Sequence, residues 1–135
     1  MIYLPDLDIV DFGISQDDLW YYVSLRLVGG NPNHPIGILY AVELDTNLDG
    51  FGDFLITAQP PFSENWSANN IKIYADTNRD TAGISPKQSD APFGGNGFDK
   101  LTHSLADQIG DDSDLAWVRI SPQSSSILEF AFKKS

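Results

Sequence analysis

Oxygen-bearing side chains recur at alternate positions in Asp45-Thr46-Asn47-Leu48-Asp49-Gly50-Phe51-Gly52-Asp53, the strongest chemical signal in the chain. A hard divalent cation such as Ca²⁺ needs six to eight oxygens at about 2.3–2.6 Å, and a loop offers them at alternate residues. Asp45, Asn47, Asp49, the Phe51 carbonyl and Asp53 fall at positions 1, 3, 5, 7 and 9 of an EF-hand-type calcium loop, with Gly50 at the tight turn. Position 12 is Ile56 rather than Glu, and the flanks alternate as strands do, so this is no helix–loop–helix sensor. The remaining ligand has to come from water or from another loop. Asp76-Thr77-Asn78-Arg79-Asp80 repeats the D-x-N-x-D pattern without the glycine, so Asp76, Asn78 and Asp80 either complete the first site or hold a second ion. The same residues also read as two Asx-rich turns without metal. If the ion binds, Asp45, Asp49 and Asp53 repel one another in its absence, and the empty loop is the looser one. Sites of this kind in extracellular modules bind at about 10⁻⁴–10⁻³ M, which suits an extracellular or cell-surface setting and favours it over a cytoplasmic one.

A second class of candidate is aromatic. Trp66 lies in the loop sequence Pro60-Pro61-Phe62-Ser63-Glu64-Asn65-Trp66, either exposed to stack on the apolar face of a sugar or folded over the end of the fold as a plug. Trp20 and Tyr22 form either a flat aromatic strip or a packed strand face, and Trp117 reads as core or sheet cover. Asp111, Asp112 and Asp114 read as a solvated turn, with a further ion or sugar contact as the alternative. Catalysis finds little footing. His34 and His103 have no metal-ligand spacing, no nucleophile elbow, P-loop or dinucleotide fingerprint is present, and Glu43, Glu64 and Glu129 are the only glutamates. The expectation is a protein that binds and does not catalyse.

Short strands must position these groups. Period-two alternation dominates, and no segment makes a convincing long amphipathic helix. Strands are expected around residues 7–12, 19–28, 36–44, 53–58, 71–75, 98–101, 115–120 and 127–132. In the second, Leu19, Tyr21, Val23, Leu25 and Leu27 share one face, and Trp20, Tyr22, Ser24 and Arg26 share a half-exposed one. Seven or eight strands separated by Gly, Pro, Asn and Asp clusters describe an all-β antiparallel β-sandwich, jelly-roll-like. If the strands at 36–44, 53–58 and 71–75 are successive and antiparallel, both D-x-N-x-D segments start from the same end of the sheet. The connection over 76–97 far exceeds the usual loop length, as functional or tethered loops do.

Composition fits that reading. Among 135 residues, 19 are acidic and 8 basic, for a net charge of −11, and sixteen of the acids are Asp, the residue of turns and cation-binding loops. Such acidity argues against nucleic acid and anionic membrane surfaces. No apolar run approaches the roughly 18 residues that cross a bilayer. The absence of Cys excludes a disulfide scaffold and thiolate metal sites. The size suits a single domain over 1–135, and its start without a signal peptide fits either a cytoplasmic protein or, as the calcium loop favours, a domain excised from a longer secreted chain.

The segments Leu7-Asp8-Ile9-Val10, Asp18-Leu19-Trp20-Tyr21-Tyr22-Val23-Ser24-Leu25, Tyr40-Ala41-Val42-Glu43-Leu44-Asp45-Thr46-Asn47-Leu48-Asp49-Gly50 and Ala116-Trp117-Val118-Arg119-Ile120 resemble the DOMON-like, type-9-carbohydrate-binding-module-like β-sandwiches of large secreted bacterial proteins. The likeness spans most of the chain, and its calcium loop is the one motif within it. It implies a jelly roll with structural calcium and, in some relatives, sugar held between aromatics; others bind haem. No Met/His haem pair is present, since the only Met is Met1. The expected role is recognition of polysaccharide or of a cell-surface or matrix partner. The alternative is a purely structural spacer, adhesin or filament or surface-layer subunit, with self-association open to it.

Overall fold

Alternation in the sequence becomes eight strands in the computed structural model, which describes residues 8–33, 39–48, 52–77 and 98–134. Among the predicted ligands, Asp49, Phe51, Asn78 and Asp80 lie outside the described residues. So do His34, the first residues of the strand expected over 36–44, and positions 78–97 of the long connection. No helix occurs among the described residues, and the all-β class holds: two four-stranded antiparallel sheets, the make-up of a β-sandwich.

The strands are β1 (Ile9–Gln16), β2 (Trp20–Leu27), β3 (Tyr40–Leu44), β4 (Phe54–Ala58), β5 (Ile71–Ala75), β6 (Lys100–Ser104), β7 (Ala116–Ile120) and β8 (Ile127–Lys133). They sort into two compact units. One holds the sheet β1-β2-β8-β7 together with residues 59–70; the other holds the meander β3-β4-β5-β6.

In the first unit, pairing register fixes which side chains share a face. Val23, Leu25, Phe130, Leu128 and Val118 lie in phase across β2, β8 and β7, and all are buried. Removing each Leu or Phe from water contributes about 1.5–3 kcal/mol. On the opposite face the register sets Ser15, Tyr22, Ala131 and Trp117 in one row, and Gly13, Ser24, Glu129 and Arg119 in the next. β1 is exposed along its whole length, and Phe12 and Ile14, in phase with the buried set, are each 67% exposed. It runs further than the sequence pattern suggested, up to the turn made by Asp17. That carboxylate accepts hydrogen bonds from the backbone N–H of Leu19 (2.9 Å) and Trp20 (2.7 Å), reversing the chain into β2.

The far edge of this sheet is covered. Ser67 bridges Val118 of β7 through paired backbone hydrogen bonds of 2.9 Å, and the Ile120 N–H donates to the Ser63 carbonyl at 2.7 Å. Asn33 holds the same segment by donating to the Phe62 carbonyl (2.9 Å), and Asn70 by donating to the Gln59 and Pro61 carbonyls (2.8 and 3.1 Å).

In the second unit, β4 is central and Leu55, Ile56, Thr57 and Ala58 are all buried. His103 is 1% exposed, opposite Ile73 on β5. A bulge between Ile73 and Tyr74 shifts the β5–β6 register, and the Thr102 hydroxyl donates to the Ile73 carbonyl at 3.2 Å.

Candidate functional site

Two places gather the chemistry picked out in the sequence, one in each unit. The first is an aromatic groove of about 280 Å³ on the outer face of the β1-β2-β8-β7 sheet, lined by Trp20, Tyr22, Trp66, Trp117 and Ala131. Antiparallel pairing creates it. Tyr22 on β2 and Trp117 on β7 both lie opposite Ala131 on β8, so two large rings flank a methyl group. Strand spacing sets those rings about 10 Å apart. Trp20 lies one row further along β2, and Trp66 arrives from the segment held against β7. All four rings are half-buried.

Each ring is held by a named partner. The Tyr22 hydroxyl donates to Asp17 Oδ2 at 2.9 Å, and Trp117 Nε1 donates to Asp114 Oδ1 at 2.9 Å. The Arg119 guanidinium lies 4.3 Å from the centre of the Trp66 ring while its Nε donates to Glu129 Oε1 at 2.9 Å. Lys133 sits 5.7 Å from the Trp20 ring centre, donates to Asp112 Oδ2 at 2.7 Å and lies 3.4 Å from Asp114. The electrostatics follow from these contacts. The backbone N–H of Trp20, then that of Leu19 and the Tyr22 hydroxyl, hold Asp17 below the usual aspartate range. Asp17 in turn raises the Tyr22 phenol, and Asp112, with Asp114 behind it, raises Lys133. The result is an apolar floor on which the Tyr22 hydroxyl and the Trp117 indole N–H are already hydrogen-bonded, rimmed by carboxylates and two paired cations. Such a surface can stack on a flat apolar ligand face without first having to be ordered.

Sequence reasoning named Trp66, Trp20 and Tyr22, and they meet in this groove. It assigned Trp117 to core or cover, whereas that ring is a groove wall. The signal lay in the phase of β7: Ala116 and Val118 are buried, so Trp117 and Arg119 must face the other way. Asp112 and Asp114, read as part of a solvated turn, hold Lys133 and Trp117 at the rim.

The second place is one end of the β3-β4-β5-β6 sheet. Leu44 pairs with Phe54 and Ala75 with Lys100, so both D-x-N-x-D segments leave the same sheet end, as successive antiparallel strands require. The hairpins match residue for residue. In the first, the Thr46 N–H and hydroxyl donate to Asp53 Oδ2 at 2.6 and 2.8 Å. In the second, the Thr77 N–H and hydroxyl donate to the two oxygens of Asp99 at 2.8 and 2.5 Å, holding that carboxyl below its usual range. The Asp76 N–H donates to the Asp53 carbonyl at 3.0 Å and joins the two loops. Sequence reasoning missed Asp99, which stands just before β6 as Asp53 stands just before β4. Asp45, Asn47, Asp53 and Asp76 are thus brought to one region. Among the described residues, no three Asp, Glu, His or Cys side chains converge as a metal-binding group.

No protein-family model, curated protein or solved structure matches the chain.

Proposed function

We propose that this chain is a non-catalytic extracellular module that recognises glycan through the outer face of its β1-β2-β8-β7 sheet and is stabilised by calcium at the β3–β4 and β5–β6 loops. What carries the reading is the half-buried groove of Trp20, Tyr22, Trp66 and Trp117, in which Asp17 holds the Tyr22 hydroxyl and Asp114 the Trp117 indole N–H. The apolar faces of pyranose rings pack on such surfaces, while a spacer or filament unit has no use for four rings left partly in water.

For calcium, the support is the D-x-N-x-D repeat and the shared sheet end. Asp45, Asn47, Asp49, the Phe51 carbonyl and Asp53 would hold the ion, with Asp76, Asn78 and Asp80 as further or second-site ligands. The donors are all hard oxygens, which suits Ca²⁺ rather than a softer metal. The ion would draw mutually repelling carboxylates together and stiffen the hairpin ends.

Tryptophan fluorescence tests the first part. Soluble neutral polysaccharides should quench or shift the emission, and Trp117→Ala should weaken binding at least tenfold while the fold is retained. A panel without any response would refute glycan recognition and favour the structural alternative. Chelation tests the second part: millimolar EDTA should lower the melting temperature by several degrees, and added CaCl₂ should restore it.

A further inference from the structure

The aromatic groove does not end at Tyr22. A second hollow of about 220 Å³ adjoins it on the same face, bordered by Gly13, Ser15, Tyr22, Ser24 and Glu129. Its depth comes from small residues. Gly13 and Ser15 on the exposed strand β1 lie opposite Ser24 and Tyr22, and any side chain at Gly13 would come within 3.0 Å of Ser24 Oγ. Its walls, which also include Ile14 and Val23, are more polar than its neighbour's: two hydroxyls and a carboxylate in place of three indoles. Glu129 spends one acceptor position on Arg119 Nε and, as a carboxylate, has about three others to offer.

Resting on the reading of this face as glycan-binding, we propose that it takes at least three successive sugar rings of a neutral linear oligosaccharide. One ring packs over Ala131 between Tyr22 and Trp117, the next passes Tyr22, and the third lies over Ser15 and Ser24, where its hydroxyls meet serine and glutamate oxygens. Three observations carry this. From Ala131 on β8 to Ser15 on β1 is two strand spacings, about 10 Å, too far for one ring to occupy both hollows. Both hollows open to solvent on the sheet face, so a chain can run on past them. The ionisable groups that hold or line them are Asp17, Asp112, Asp114 and Glu129 against Arg119 and Lys133, with the Asp11–Arg26 pair one row on and Lys134 near Asp17; Arg119, Lys133 and Arg26 are already paired with acids. A uronic-acid chain would bring like charge to an acidic rim, in a protein whose net charge is −11.

Isothermal titration of the intact chain with cello-, xylo- and manno-oligosaccharides of one to four units, and with tetragalacturonate, tests the proposal. In the series that binds, affinity should rise at least tenfold from one unit to three, and tetragalacturonate should bind at least tenfold more weakly than the neutral tetrasaccharide. Ser15→Phe, at an exposed position, should drive the ratio of tetrasaccharide to monosaccharide affinity towards one. A monosaccharide that binds as tightly as its tetrasaccharide, an equally tight galacturonate, or an unchanged ratio in Ser15→Phe would overturn this proposal and leave glycan recognition standing. Silence from every sugar would overturn both.

Discussion

At the scale of single residues, Asp17 is the most heavily committed acid of the site. It caps the turn into β2 with two backbone hydrogen bonds and anchors the Tyr22 hydroxyl with its other oxygen. Its pKa in the fold lies below the ordinary value of 3.8. Its contribution to stability is therefore complete at neutral pH, where the residue is charged in both folded and unfolded chains. It fades as the pH falls from about 5 through the lowered folded value. Asp17→Asn should reduce the melting temperature by a few degrees at pH 7 and flatten its fall between about pH 5 and pH 2, as thermal melts across that range would register. Leu48, at φ 60° and 88% exposed, sits at a backbone angle that branched side chains avoid, inside the loop proposed to hold calcium.

At the scale of elements, β2, β5, β7 and β8 were legible from their alternation, β4 from its short apolar run, and the strand expected over 98–101 runs over Lys100–Ser104 instead. β6 was the faintest, since Thr102, His103 and Ser104 interrupt the apolar phase although His103 and Ser104 are buried. The aromatic wall at Trp117 was open to the same parity argument as Trp20 and Tyr22, but a lone Trp between Ala and Val resembles core. Asp99 was hidden for a different reason: its partner Thr77 is 22 residues away, and no local pattern joins them. The match between the β3–β4 and β5–β6 hairpins appears only once pairing is known. It is tight at Gly52, where an added Cβ would run into the Glu43 carboxylate and lie 2.9 Å from the Phe98 ring. Gly52→Ala should destabilise the chain by about 1–3 kcal/mol, as overpacked sites do, measurable by urea unfolding.

Across the whole molecule, the apolar residues divide into those that are buried and those that are not, and sequence alternation alone does not separate them. Phe12 and Ile14 on β1 share the phase of Val23, Leu25 and Phe130, yet they stay exposed while the others are buried. Edge position accounts for this: among the described residues β1 has one neighbouring strand, and Phe12 and Ile14 keep two thirds of their surface in water. Ile14→Ser should change unfolding free energy by less than about 0.5 kcal/mol. Phe130→Ala, by contrast, should cost about 3–5 kcal/mol. Chemical denaturation of the two variants side by side would check the contrast.

The two margins of that sheet are unequal. Ser63 and Ser67 already bond the outer backbone of β7 at Ile120 and Val118, whereas among the described residues β1 pairs only with β2. A ribbon with a single open selvage can be joined once and no more. Two copies meeting there would each cover the other's open strand, and joining through these two edges would stop at a pair.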